Sequence, residues 1–325
     1  MGINLDQKLV DEFQELGKLK ELVSRLDELL EFFSKTKSED EPRDNLSSCF
    51  DNLKKLREID NWFLLRLYKD KMDFEILERG INSFFGKIWK NYDAVDAAVF
   101  SFLDREDGFF FVNLSQAVMI SNEIFIKILV SPYETGYLFG EFVFLQLYLH
   151  NFEAMCCFLK PLVEDFLGQQ IEEDEEQVHQ KVYNHFLKWL ESDVRKIFKE
   201  KIDVKLRHCI AHASYILNQS DGSICLRDMV SRRRRTYEFN EFLEKLLDLV
   251  ILCQLLRNKL LDYIIEFFMR NEFANDLKMY FVESYIDINY IIAYIKMLRD
   301  FLASMIESLE DEEKNPKKIP SRDSS

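Results

Sequence analysis

The 325 residues include only 9 Gly and 5 Pro, about 4% of the chain against a usual level of roughly 12%. Sandwiches, barrels and doubly wound sheets need those residues for tight turns, so composition points to an all-α, multi-helix bundle; no Gly-rich phosphate-cradling motif occurs. A net charge of −15 repels polyanions, which disfavours generic coating of nucleic acid or of an anionic membrane and leaves only a local basic patch able to meet RNA.

The N-terminal MGINLDQKLVDEF lacks the basic and apolar regions of a signal peptide. Residues 5–33 read as one helix, with Leu9, Leu16, Val23 and Leu30 as one seam and Leu5, Leu19, Leu26 and Phe33 as a second. The favoured partner for such a stripe is a helix of the same chain rather than another molecule. A polar loop with Pro42 follows. Leu46, Phe50, Leu53, Leu56, Ile59, Phe63 and Leu67 then give a helix over 45–70, making a helical hairpin. Helical segments are expected at 72–90, 92–104 and 114–130, with Phe109–Val112 as a short extended link. The expected organisation is a helical region over 1–130, a second helical domain over 131–309 and a disordered tail over 310–325.

Ser131-Pro132 signals a helix start. The apolar segment that follows has Leu138, Phe142, Leu145, Leu149, Phe152 and Leu159 as core candidates, and Pro161 should kink or end it. The acidic run 172–176 reads as a solvated loop or a first helical turn. Val178, Val182, Phe186, Leu190, Val194 and Ile197 trace one amphipathic helix, and a further short helix covers 203–213. Tyr215–Leu217 and Ile224–Leu226 flank Asp221-Gly222, a hairpin signal. Long helices are expected over 239–268 and 277–308. Every apolar stretch is interrupted by charge before about eighteen residues, so no membrane partner is expected. The six Cys, without C-x-x-C spacing, fit free thiols in a reducing cytoplasm.

The chemistry-bearing residues gather in Leu206–His212. His208 and His212, four apart, share a helix face, and Arg207 precedes them. Imidazole titrates near neutrality and transfers protons; guanidinium grips phosphate oxygens with parallel donors and keeps its charge. RNA brings its own nucleophile, the ribose 2′-OH, so such a set suffices without a cofactor. His212 is the candidate general base or acid, Arg207 the charge stabiliser, and His208 the phosphate-orienting or second proton-transfer group. A metal site built on His208 and His212 is the rival, with Asp203 or Asp228 as further ligands, but Cys209 breaks the H-E-x-x-H pattern.

Leu206–Leu226, LRHCIAHASYILNQSDGSICL, resembles the signature of the HEPN superfamily: Arg, a polar residue, three variable residues and His, matched by Arg207, His208 and His212. The resemblance covers about residues 132–265 and implies a helical bundle with a small β-hairpin after the motif. It also implies a metal-independent ribonuclease of a toxin–antitoxin or phage-defence kind, a homodimer pairing two motifs, and an antitoxin or regulatory partner. An acidic residue on an earlier helix, Glu141 or Glu153, is part of the resemblance. A catalytically inactive HEPN-like RNA-binding or scaffold protein is the alternative. Arg232, Arg233, Arg234 and Arg235, with Arg227 nearby, form the strongest basic cluster and are the expected RNA-backbone contacts; Tyr215 and Tyr237 beside them would stack on bases or pack. Cys156-Cys157 read as core.

Overall fold

The computed structural model describes residues 16–38, 46–68, 74–88, 107–130, 137–166, 171, 178–218, 223–227, 234–270 and 288–314. These residues are mostly helical, with one small antiparallel sheet, as the scarcity of Gly and Pro requires. Two compact units divide the chain: Met1–Leu67 with Asp287–Ser325, and Tyr68–Ile286.

The first unit contains α1 (Leu16–Ser38), α2 (Leu46–Tyr68) and α10 (Ile288–Lys314). Helix α1 packs along α10. Its buried stripe is Leu19, Leu22, Leu26, Leu29, Phe33 and Thr36. The seam through Leu19, Leu26 and Phe33 is therefore central, but Leu22, Leu29 and Thr36 complete it in place of Leu16, Val23 and Leu30. Steps of three and four residues from Leu19 keep one face turned to the partner; the other sevenfold seam lies about 100° away and is half-exposed. In α2, Leu46, Phe50, Leu53, Leu56 and Ile59 are buried as expected. The hydroxyl of Tyr294 donates to buried Asp60 at 2.7 Å, tying α10 to α2. Helix α10 runs through Lys314, so residues 310–314 of the expected disordered tail are helical, and Lys20 pairs with Glu310 at 2.6 Å.

The second unit contains α3 (Phe74–Ile88), α4 (Asp107–Val130), α5 (Tyr137–Pro161), α6 (Val178–Trp189), α7 (Ser192–Lys201), α8 (Val204–Ala211), β1 (Tyr215–Asn218), β2 (Ser223–Arg227), β3 (Arg234–Tyr237) and α9 (Phe239–Arg270). Helices α4 and α5 lie on either side of 130/131 and pack together, with buried Asn151 donating to Ser121 Oγ at 2.7 Å; the division into units does not run there. Phe109–Val112 belongs to α4 rather than to an extended link, the helical context overriding the β-prone stretch. The expected helix over 92–104 and the start at Ser131-Pro132 lie outside the described residues.

Helix α5 is the central core element. The segment Phe142–Glu164, most of it in α5, has the length and hydropathy of a membrane span, but 61% of it is buried inside the protein. Leu145, Phe152 and Leu159 are in the core, while Phe142 is 48% exposed, contrary to its reading as core. Pro161 closes the α-helix, and one π turn, Leu162–Phe166, follows. The missing proline N–H removes a ladder bond there, which accommodates the change of winding.

The single amphipathic helix expected over 178–197 is two. The chain breaks at Leu190-Glu191. Arg195 Nη2 donates to the carbonyls of Lys188 (3.0 Å) and Leu190 (2.8 Å), satisfying groups that the break frees. The sheet has order β1-β2-β3, all antiparallel. Its first hairpin pairs Tyr215 with Leu226 and Asn218 with Ser223, as the Asp-Gly signal implies. Strand β3 is not foreshadowed: it takes up the last two residues of the arginine run.

Candidate functional site

Helix α8 carries the motif. Asp203 caps its start, with Oδ1 accepting from the Lys205 and Leu206 amides at 2.9 and 3.2 Å. The same carboxylate accepts from Arg235 Nη1 at 2.9 Å and from the Tyr237 hydroxyl, joining α8 to β3. The Asp203 backbone completes the joint by exchanging hydrogen bonds with the Tyr148 hydroxyl of α5. Burial and the hydrogen bond to Asp203 hold the Tyr237 phenol well above its ordinary range, so it remains a donor.

The helix ends at His212 in a Schellman arrangement: the Ala213 amide donates to Ile210 O at 3.0 Å and the Ser214 amide to Cys209 O at 2.9 Å. Ala213 occupies the left-handed position, φ 49°, where glycine is usual. Arg227 N then donates to Ser214 O, so β2 holds the turn.

Arg207 faces inward. Its side chain is 13% exposed, and Nη2 donates to Glu153 Oε1 of α5 at 2.6 Å and to His179 Nδ1 of α6 at 3.1 Å. Guanidinium only donates, so His179 Nδ1 accepts and the ring proton sits on Nε2, 3.7 Å from Cys157 Sγ. Burial, reinforced by Arg207, holds the His179 imidazole below its ordinary range, with Glu153 opposing. It is therefore neutral at pH 7. Burial pushes the Cys157 thiol up, so it stays protonated. Of the two acidic candidates, Glu153 is the one seen to engage Arg207; the side chain of Glu141 lies outside the described residues. His179 was not singled out in the sequence because it lies 28 residues from Arg207 with no motif around it.

His208 and His212 come together, with ring centroids 4.4 Å apart. His212 is exposed at the helix end, and no hydrogen bond joins it to Arg207 among the described residues. Arg207 and His212 thus leave α8 in different directions, as five residues of α-helix dictate. No group of three or more His, Cys, Asp or Glu able to hold a metal stands together among the described residues.

Two of the four residues of the arginine run, Arg234 and Arg235, are described. Arg232 and Arg233 lie outside the described residues. Arg234 is exposed, directly opposite Arg227. Arg235 folds onto Asp203 and over the Tyr237 ring, 4.5 Å from its centroid. Tyr237 is buried, so it packs rather than stacks on a base. All six Cys are free thiols, with Cys156 buried and Cys157 partly so.

No protein-family model matches the chain, and no curated protein or solved structure matches it.

Proposed function

We propose that the chain is a HEPN-like, metal-independent endoribonuclease. The observation that carries this reading is the setting of the motif. Arg207 is held by a carboxylate from an earlier helix, His212 is exposed at the end of the motif helix beside His208, and an antiparallel hairpin follows at once. In the reaction, one imidazole takes the 2′-OH proton as that oxygen attacks phosphorus. The bond to the 5′-oxygen breaks, and a second imidazole protonates the leaving oxygen. The products are a 2′,3′-cyclic phosphate and a 5′-hydroxyl. His212 and His208 fill the proton-transfer roles; Arg207, locked by Glu153 and His179, stabilises charge on the phosphoryl oxygens. A two-fold dimer brings a second motif to the same cleft, and an antitoxin or regulatory partner would restrain the activity. The exposed, mutually opposed Arg227 and Arg234 on the sheet offer RNA a phosphate contact.

One observation favours a second reading, a non-catalytic HEPN-like RNA-binding or interaction scaffold: Arg207 is already neutralised by Glu153, as a purely structural arginine would be. The two readings separate by experiment. Under the first, induced expression slows host growth and His212→Ala restores it. Purified protein leaves cyclic-phosphate ends in the presence of chelator, and Arg207→Lys cleaves poorly even when folded, because a point charge cannot replace the planar fork. Harmless expression of both forms with no new RNA ends supports the scaffold. Chelator-sensitive cleavage overturns the mechanism.

A further inference from the structure

A second cationic centre lies away from the motif. The joint between α6 and α7 encloses a surface cavity of about 470 Å³, lined by Lys181, Asn184, His185, Leu187, Lys188, Arg195 and Lys199. Three lysines, an arginine and a histidine thus line one space whose lining includes no carboxylate, on a chain of net charge −15. A cleft lined by one sign of charge focuses the field and raises the local concentration of anions.

The arrangement is built rather than incidental. Arg195 does not reach for an acid: two carbonyls at the helix break fix its guanidinium, and its Nε is buried with no hydrogen-bond partner among the described residues. His185 Nδ1 is likewise buried and unpartnered there. Burial and the neighbouring Lys188 hold its imidazole below the ordinary range, so it is neutral at pH 7 and keeps both a donor and an acceptor. Lys188 and Lys199 are exposed, one on each helix. The volume is that of a small-molecule pocket rather than of a single ion site.

We propose that this cavity binds a ligand carrying two or more phosphate groups, Lys188 and Lys199 gripping it from opposite helices and Arg195 providing a preset guanidinium between them. The same chemistry is offered by a free nucleoside polyphosphate and by successive phosphodiesters of an RNA strand. The site stands whether or not the chain cleaves RNA.

The test is calorimetric titration of the full chain with inorganic tripolyphosphate, with ATP and with a short oligouridylate. Tripolyphosphate should bind saturably with a stoichiometry of one. Lys188→Gln/Lys199→Gln should weaken it at least about tenfold, the loss of one charged hydrogen bond or more. Lys188→Arg/Lys199→Arg should retain binding. Lys196→Gln, a nearby exposed lysine outside the lining and paired with Glu200, should leave it unchanged. Displacement of tripolyphosphate by oligouridylate, with the same loss in the double variant, identifies an RNA strand as the source; tight ATP binding that oligouridylate does not displace identifies a nucleotide. Absence of saturable binding by tripolyphosphate, or an equal loss in Lys196→Gln, overturns the proposal. Matching circular-dichroism melting curves for the variants assign any loss to the site rather than to the fold.

Discussion

Arg207 carries a full charge into a site where its side chain is 13% exposed, and Glu153 answers it there at 2.6 Å. Removing the carboxylate leaves that charge with only the neutral His179 ring beside it among the described residues, which is what makes such pairs costly to break. His179 gives the cluster a pH dependence whose sign follows from its lowered proton affinity. Below its ordinary value of 6.5 the unfolded chain binds a proton that the folded protein resists. Stability is therefore present above about pH 6.5 and declines as pH falls below it, levelling only beneath the folded value. His185, also lowered, adds in the same direction. His179→Gln, which keeps an acceptor for Arg207, should flatten the decline in melting temperature between pH 7 and 5; an unchanged slope would remove His179 as its source. Ala213 offers a second test at this scale. Its left-handed backbone costs about 1–2 kcal/mol in an L-residue, offset in glycine by greater chain freedom. Ala213→Gly should stabilise the protein by about 0.5–1 kcal/mol in urea denaturation, without altering the cap that presents His212.

Elements meet where the residues between them are small enough. A Cβ built on Gly80 in α3 would lie 2.3 Å from Val194 Cγ2 in α7, far inside contact distance. Gly80→Ala should gain about 1 kcal/mol from helix propensity in isolation, yet the clash outweighs that gain, and a net loss of about 1–3 kcal/mol is expected. Val194→Ala in the same chain should return part of the loss. A double-mutant cycle by chemical denaturation measures this coupling, and strict additivity would show that α3 and α7 do not meet through these atoms. The α6–α7 break has the same local logic. The periodicity from Val178 to Ile197 is unbroken, but Arg195 reaches back to the carbonyls at the joint and makes the interruption tolerable.

At the scale of the molecule, the first unit joins segments far apart in sequence, with α1 packed along α10. Leu298 of α10 is 1% exposed. Leu298→Ala should remove about 2–5 kcal/mol from this unit. Hydrogen exchange should then accelerate across 16–68 and 288–314 while residues within 137–268 keep their protection, because units with their own cores open separately. Equal acceleration across both would show a single cooperative block.

Composition and periodicity determined the class of this protein: few Gly and Pro exclude turn-rich folds, apolar spacing located α1, α2, α5 and α9, and the Asp221-Gly222 signal located the β1-β2 hairpin. These signals are local, arising from backbone geometry and from which face of a helix must leave water. The grouping of Arg207, His208 and His212 was legible in their spacing, whereas the acidic alternatives Glu141 and Glu153 came only with the resemblance that this motif carries. What pairs with what was not. Only tertiary structure brought Glu153 and His179 to Arg207 across 54 and 28 residues, set Arg235 on Asp203, turned Arg234 into a strand residue, and closed α1 against α10. Long-range contacts depend on how whole helices stack, and no periodicity along the chain encodes which buried stripe meets which. The cationic cavity at α6–α7 was hidden for that reason too: its lysines are commonplace singly, and only the break at Leu190-Glu191 gathers them around one space.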